Sequence, residues 1–416
     1  MREMLTSLKN AVGIALWFVF LTLPLLVVRV NTLNNEIEWR WENLGWIAGV
    51  TALLALAWQL SLRWRDRQRD RSVTQDEEEG MVPRATLQTL LDNRVLCRRL
   101  LVGAALLAAA FPWLVSTAQN FYHVNVMVSA LIFVVLALGL NITVGLAGLL
   151  DLGYIAFFAV GAYTYALLSK AFGLGFWTCL PLGGVAGMLF GLALGFPILR
   201  LRGDYLAIVT LGFGSITKIV LENWDAVFGG AAGIAGIPRP DLFALVLDGR
   251  QKAVYSYYII LALVVLTIFV TVRLKNSRIG RAWMALREDE IACVAMGVDM
   301  AATKLSAYAL GAFWAGLVGV VFAAHNNFIN PDSFTFMDSA MILAMVVLGG
   351  MGSILGVIVA ALALKLLPEY LRAFAEYRML VFGTVMVLMM LFRPQGLISN
   401  MRRRYAAGTK GGGDRD

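Results

Sequence analysis

Histidine, cysteine and charge are scarce in this 416-residue sequence. The two histidines, His123 and His325, and the three cysteines, Cys97, Cys179 and Cys293, are too few and too scattered for a structural zinc cage or a disulfide framework. Charged residues make up 15% of the chain, against about 25% in soluble domains. The P-loop pattern GxxxxGK[ST] is missing, and the dipeptide Gly-Lys does not occur. A soluble globular fold and ATP hydrolysis by the P-loop route are therefore excluded.

Hydrophobic residues dominate instead. They form 59% of the chain, and the mean hydropathy is +0.74. Apolar runs of about 17 to 25 residues recur, and each can cross a membrane as an α-helix. We therefore expect an all-α, polytopic membrane protein with about 10 to 11 transmembrane helices. The predicted spans are residues 11–30, 44–62, 98–116, 124–144, 152–169, 176–199, 205–221, 254–273, 303–323, 338–367 and 377–392.

The net charge of +8 comes from Lys and Arg clusters beside the apolar runs. This placement indicates the positive-inside rule rather than nucleic-acid binding. We predict an N-terminal transmembrane hairpin at 1–62, a charged cytoplasmic linker at 63–97, a membrane core at 98–400 and a cytoplasmic tail at 401–416.

One span cannot be a simple crossing. Eleven simple crossings would place Arg402, Arg403 and Arg404 outside, against the positive-inside rule. The long run 338–367 is interrupted by Gly349-Gly350-Met351-Gly352, which predicts two half-helices or a re-entrant segment. With that correction both termini are predicted to be cytoplasmic.

Glycine is concentrated inside the spans. Gly183, Gly187, Gly191 and Gly195 recur every four residues and share one helix face, which predicts a close-packing surface. Packing within the chain is the simpler interpretation, and a subunit interface or the lining of a translocation path are alternatives.

The ionisable residues in or near the spans offer no paired site for acid–base or nucleophilic catalysis. Nearly all of them lie at predicted span ends, where their charges can reach the membrane surface. They are Asp151, Asp204, Lys218, Glu222, Asp338 and Lys365. The sequence therefore predicts a protein that is not an enzyme.

The predicted cytoplasmic segment 276–299 combines charged residues with helical periodicity. One helical face would carry Ala282, Ala285, Leu286 and Asp289, and another Arg287, Glu288 and Ile291. Because Gly297 ends the run, a short helix is predicted. Such a helix could bind a groove of a cytoplasmic partner, although from the residues alone a basic topology loop is the better interpretation.

From about residue 100 to 400 the sequence resembles the LivM-type permease subunits of bacterial branched-chain amino-acid ABC importers. The resemblance rests on ordered blocks, each weak alone. They are Asn141, Gly145, Gly148, Gly153, Phe157, Gly161, Ala162 and Tyr163; Gly203 to Ala207 with Thr210 and Leu211; Gly229, Gly230, Gly233, Gly236, Ile237 and Pro238; Gly280, Arg281, Arg287, Glu288 and Gly297; Gly349 to Gly352 with Gly356; and Arg393 to Leu397.

The resemblance implies the fold of an ABC importer permease in the bacterial inner membrane, transporting leucine, isoleucine, valine and related apolar amino acids. It implies four kinds of partner: a LivH-like permease, two cytoplasmic ATPase subunits, a periplasmic amino-acid-binding protein and membrane lipid. No nucleic acid is expected, and no cofactor or metal in this chain, because the partner ATPases would bind ATP and magnesium.

The resemblance also assigns roles to residues. The loop 274–300 would couple the chain to an ATPase, through Gly280, Arg281, Arg287, Glu288, Asp289 and Gly297. It departs from the Glu-Ala-Ala consensus of such loops, because Glu288-Asp289-Glu290 precedes Ala292.

For the translocation path we predict the two interrupted helices, where backbone groups could meet a zwitterion. The residues are Asn141, Gly145, Gly148, Gly153, Tyr154, Phe157, Gly349, Gly350 and Gly352. Tight packing of glycine-rich helices is the alternative there. An ion-coupled secondary amino-acid transporter, acting without an ATPase, is the alternative function.

Overall fold

The computed structural model describes residues 28–31, 36–39, 111–113, 121–198, 203–240 and 249–370, with single positions at 383, 384, 387 and 396. The chain divides into two compact units, Met1–Val102 and Gly103–Asp416. The linker 63–97, the tail 401–416 and most of the spans 11–30, 44–62, 98–116 and 377–392 lie outside the described residues.

In the first unit, a β-hairpin replaces the end of the first predicted span. Strand β1 (Val28–Asn31) pairs antiparallel with β2 (Glu36–Trp39). The predicted helix 11–30 is therefore wrong from Val28 onward. Valine at alternate positions favours a strand, and the asparagines that follow favour a turn.

The second unit is built from helices. Its long helices are α1 (Phe121–Leu140), α2 (Ile155–Phe172), α3 (Phe176–Ile198), α4 (Asp204–Asn223), α6 (Gly249–Lys275), α9 (Met300–Asn326), α10 (Phe336–Gly349) and α11 (Ile354–Tyr370). The short elements are α5 (Asp225–Phe228), α7 (Arg278–Glu288), α8 (Glu290–Ala295), 3₁₀ turns at Gly230–Ala232 and Pro331–Ser333, and strands β3 (Ile234–Ala235) and β4 (Phe328–Ile329), which pair antiparallel.

Seven helical stretches among the described residues are long and apolar enough to cross a membrane. They are Tyr122–Leu146, Ile155–Phe172, Phe176–Pro197, Tyr205–Asn223, Gln251–Lys275, Met300–Asn326 and Pro331–Gly349. The prediction of an all-α polytopic membrane protein is confirmed. The predicted span 338–367 forms two helices, α10 and α11, separated at Gly350–Ser353.

The helices run in alternating directions. Residues near the starts of α1 and α6 line one cavity together with residues near the ends of α9 and α11. Lys275, at the end of α6, contacts Gly352 between α10 and α11 at the other end of the bundle. We call these two ends the cavity end and the loop end. The loop end carries segment 276–299.

Helix α9 lies at the centre of the core. It packs against α1, α2 and α3, and most of its residues are buried. Helix α4 makes fewer contacts and leaves large apolar side chains exposed, among them Ile208, Ile216 and Ile219. In a membrane protein such a face is covered by lipid or by another subunit.

Candidate functional site

The first interruption of a long helix lies at the end of α1. Asn141–Leu146 forms a π-helix, and all six residues are buried. The N–H of Ala147 donates to the carbonyl of Ile142, five residues earlier, at 3.2 Å. Such wide turns often mark functional sites in helices.

The second interruption, between α10 and α11, meets the first one directly. The N–H of Gly352 donates to Oδ1 of Asn141 at 2.9 Å. A Cβ on Gly145 would lie 1.9 Å from that same oxygen and 2.6 Å from the nitrogen of Gly352. Glycine is therefore required at position 145 for the two interruptions to touch.

Two basic side chains at the loop end donate hydrogen bonds to the carbonyl groups of these interruptions. Arg287 of α7 donates from Nη1 to the carbonyl oxygen of Gly145 at 2.6 Å. Lys275 donates from Nζ to the carbonyl oxygen of Gly352 at 2.9 Å. Gly148 has a φ of +74°, and a Cβ there would lie 2.8 Å from Cγ of Arg287. Residues predicted for coupling and residues predicted for the path therefore form one connected cluster.

Segment 276–299 holds two helices rather than the single predicted helix. Asp289 has an extended backbone (φ −156°, ψ 113°), which ends α7. Its side chain accepts hydrogen bonds from the N–H groups of Ile291 (2.8 Å) and Ala292 (3.0 Å), and so caps the start of α8. The sequence did not predict this break, because Asp289 was placed on one face of a continuous helix. Gly297, with a φ of +80°, follows α8.

One face of the segment is anchored to the bundle. Trp283 is fully buried, and its Nε1 donates to the carbonyl of Thr303 and to Oγ of Ser306, both at 3.1 Å. Gly280 is buried against the carbonyl of Leu274. These contacts fix the orientation of α7 relative to the start of α9.

The other face is exposed. Ile291, Val294 and Met296 are 73%, 53% and 84% exposed. Arg281, Glu288 and Asp289 are also exposed. A surface that mixes apolar and charged side chains in this way is typical of a protein interface.

An ion pair joins α8 to α9. Nζ of Lys304 lies 2.8 Å from Oε1 of Glu290, and the Lys304 side chain is 2% exposed. Buried ammonium groups need an opposite charge. The sequence analysis did not single out Lys304. The available signal was a lysine at the start of the apolar run 303–323.

The loop between α1 and α2 carries a buried carboxyl group. Asp151 accepts a hydrogen bond at Oδ1 from the N–H of Gly153 at 2.9 Å. Removal from water raises the pKa of Asp151 to about 7, against the smaller lowering effect of that hydrogen bond. Leu152 donates to Oγ1 of Thr210 at 3.0 Å, and Gly153 lies against the Thr210 carbonyl. This loop is therefore tied to α4.

Tyr154 and Phe157 are fully buried and form an edge contact, with ring centroids 6.1 Å apart. The Tyr154 hydroxyl donates to the carbonyl of Gly311 in α9 at 2.9 Å. Both side chains stand in the packed core of the bundle, so any path here would need α9 to move.

Comparison with known proteins gives a consistent result. Residues 122–390 match the family described as the branched-chain amino acid transport system permease component. The chain is 46% identical to the high-affinity branched-chain amino acid transport system permease protein LivM of Escherichia coli over 340 residues, or 77% of this chain and 79% of that protein. The chain belongs to this permease family.

The permease also has more distant relatives, which are named LivM and LivH. It is 28% identical to a probable LivM of Methanocaldococcus jannaschii, over 52% of this chain and 65% of that protein. It is 23% identical to LivH of Escherichia coli, over 64% of this chain and 91% of that protein. No solved structure matches the permease.

The four glycines of α3 in the permease lie against α9. A Cβ on Gly183 would lie 2.3 Å from Val320, one on Gly187 2.6 Å from the Ala312 carbonyl, and one on Gly191 2.5 Å from the Ala312 methyl group. On Gly195 the nearest atom would be Cδ2 of Leu305, at 2.8 Å. All four therefore face another helix of the same chain.

The glycines between α10 and α11 serve a sharp reversal of the chain. Gly350 and Gly352 have φ of +101° and +83°, a region that favours glycine. A Cβ on Gly349 would lie 2.6 Å from the backbone of Gly356, so the two helices pack closely at this point. Among the described residues, no group of three or more His, Cys, Asp or Glu side chains could hold a metal ion.

Proposed function

We propose that the permease is one of two transmembrane subunits of an ATP-driven importer in the bacterial inner membrane, which carries leucine, isoleucine, valine and related apolar amino acids. The observation that supports this most directly is the bond from Arg287 to Gly145. It connects an exposed segment, suited to a partner protein, with the helix interruptions inside the bundle.

Two observations support the proposed partners: the sequence has no P-loop, and the relatives of the chain include LivH. Because the sequence has no P-loop, ATP and magnesium would be bound by two separate ATPase subunits. The similarity to LivH fits a second, homologous permease beside this one. A periplasmic binding protein would deliver the amino acid, and the chain itself would catalyse no reaction.

The exposed residues Ile291, Val294 and Met296 would dock in a groove of the ATPase. The ATPase would favour one of two packings of the bundle through differential contacts with this segment. Arg287 would transmit that preference to the π-helix. Gly280, Arg281, Glu288, Asp289 and Gly297 would shape and surround this contact.

Segment 276–299 would lie in the cytoplasm, because Arg273 and Lys275 precede it and Arg278 and Arg281 lie within it. The cavity end then faces the periplasm. Helix α11 ends at the cavity end, so the predicted span 377–392 would return the chain to the cytoplasm. Both termini are accordingly proposed to be cytoplasmic.

Purification of the tagged chain from its native membrane in a mild detergent, with mass spectrometry of stoichiometric companions, tests the proposal. We expect a second permease and ATPases with Walker motifs. Leucine uptake into vesicles should be blocked by vanadate and should survive an ionophore. A chain that purifies alone and whose uptake stops with the ionophore contradicts the proposal.

A second candidate is an ion-coupled amino-acid transporter. The buried carboxyl group of Asp151 favours it, because proton-coupled carriers use such groups. Under this alternative, uptake would follow an imposed proton gradient, and Asp151→Asn would remove that dependence. If uptake is independent of the proton gradient in both the wild type and Asp151→Asn, the ion-coupled candidate is excluded.

A further inference from the structure

A cavity of about 580 Å³ opens at the cavity end of the bundle. Its walls come from α1, α6, α9 and α11, together with the loop that precedes α6. None of the residues predicted for the path lines it. Its volume is in the range of small-ligand sites.

The cavity walls carry charges of both signs, with positive charge in excess. Arg239, Lys252 and Lys365 contribute cationic groups, and Glu369 contributes a carboxylate. Arg239 donates from Nε to Oδ1 of Asn327, and the hydroxyl of Tyr122 donates to Oε1 of Glu369. The walls therefore present cations and a carboxylate in one cavity, which is the pattern that a zwitterion requires.

Lys365 packs against an aromatic ring of α1. Its Nζ lies 3.8 Å from the centroid of the Phe133 ring. Phe133 is twelve residues along α1 from Phe121, about 18 Å at 1.5 Å per residue. A hydrocarbon core is about 30 Å thick, so an ammonium group this far along a membrane-crossing helix stands within the span and not at its end. Ionisable groups at that depth are costly and are usually functional.

We propose that this cavity is a binding site for a free amino acid, with Lys365 and Arg239 binding its carboxylate and Glu369 its ammonium group. This inference rests on the proposed import function, because it makes the cavity the place where the amino acid enters the permease. Specificity for the charged ends would then lie partly in this chain and not only in a binding protein.

Protection of a cysteine in the cavity tests the proposal. Ser129 lines the cavity, and Ser129→Cys places a thiol there. The full complex in membrane vesicles is treated with a water-soluble thiol reagent, and modification is read by mass spectrometry on the peptide that carries position 129. Leucine and 4-methylpentanoate, which share the carboxylate, should slow the modification. Isoamylamine, which keeps only the ammonium group, should slow it less.

The charged residues are then changed in the Ser129→Cys background. With Lys365→Met or Arg239→Gln, the leucine concentration for half-protection should rise about tenfold, the effect of one lost charge contact. Lys170→Met is the matched control, because Lys170 is an exposed lysine that does not line the cavity. If the Lys365→Met variant does not reach the membrane, the test relies on Arg239→Gln, because Arg239 is exposed.

Three results would overturn the proposal: no protection by leucine, equal protection by isoamylamine, or modification that becomes possible only after lipid is extracted. The last result would assign the cavity to a phospholipid headgroup. Failure of the import function is distinguishable, because the unmodified complex would then take up no leucine. Normal uptake without protection refutes the cavity site alone.

Discussion

At the scale of single residues, Asp151 shows how burial controls protonation. The group is fully buried, and loss of water around it raises its pKa to about 7 from an ordinary value of 3.8. Folding therefore favours the protonated acid. A group of this kind contributes most stability at low pH, and that contribution is lost as the pH rises from 3.8 through 7.

We predict that Asp151→Asn makes the permease less sensitive to alkaline pH. The difference between the two pKa values corresponds to at most roughly 4 kcal/mol at pH 8. Thermal unfolding in detergent, followed by size-exclusion chromatography at pH 5 and pH 8, measures it. The wild type should lose stability at pH 8, and the variant should lose less.

Asp299→Asn is the control for this experiment, since Asp299 is an exposed carboxylate that caps α9 and asparagine also caps helices. It should retain the pH dependence of the wild type. An equal loss of stability at pH 8 in wild type and Asp151→Asn would refute the prediction.

At the scale of elements, α3 and α9 pack this closely because glycine carries a hydrogen atom where alanine would carry a methyl group. Gly187 lies against the Ala312 carbonyl and the backbone of Gly316. In a membrane, where apolar side chains gain little by leaving lipid, such close contacts hold helices together. Alanine at this position must push α3 away from α9.

We predict that Gly187→Ala destabilises the permease by about 1 to 3 kcal/mol, the usual effect of overpacking. Gly212→Ala in α4 is the matched control, because a Cβ there would meet no atom within 4 Å. In a helix, alanine is more favourable than glycine by about 1 kcal/mol, so this control should not be destabilised. Thermal unfolding of both variants in detergent checks this, and an equal effect of the two substitutions would contradict it.

The bond between α7 and the π-helix gives a second prediction at this scale. Arg287→Ala removes the donor to Gly145 and the connection between segment 276–299 and the interruption. Uptake should fall at least about tenfold, since charged hydrogen bonds contribute about 1.5 to 3 kcal/mol. Insertion should remain, because α7 stays anchored by Trp283.

Arg278→Ala removes the same charge from the exposed start of the same helix and should transport normally. Leucine uptake into vesicles with matched amounts of permease gives the comparison. Full transport by Arg287→Ala would show that the bond has no part in coupling.

At the scale of the whole molecule, the second unit contains all seven candidate spans of the described residues and both interruptions. Its core helix α9 contacts α1, α2, α3 and α6, which all belong to this unit. Its folding energy should therefore come from contacts within residues 103–416.

We predict that deletion of residues 1–95 leaves a core that inserts and folds. The measurement is the amount of the shortened chain in the membrane and its elution as a single species in detergent. Loss of the shortened chain from the membrane would show that the N-terminal unit is needed for folding.

The positions of most of the described long helices could be predicted from the sequence because apolar length is a local property. A run such as 303–323 must be helical in lipid, where each backbone group needs a partner within the segment. The glycine interruption of 338–367 was also predicted correctly, because Gly350 and Gly352 adopt backbone conformations that other residues avoid. The hairpin at Val28 was missed because a few β-branched residues at the end of an apolar run carry little signal.

The meeting of Asn141, Gly145, Gly352 and Arg287 was decided by the tertiary structure alone. They come from three segments that are far apart in the sequence, and no periodicity links these segments. The same holds for the cavity that brings Lys365 near Arg239, since four helices supply its walls. Local composition determines which segments become helices, whereas the pairing of buried polar groups depends on how those helices pack, because each group must find its partner on another element.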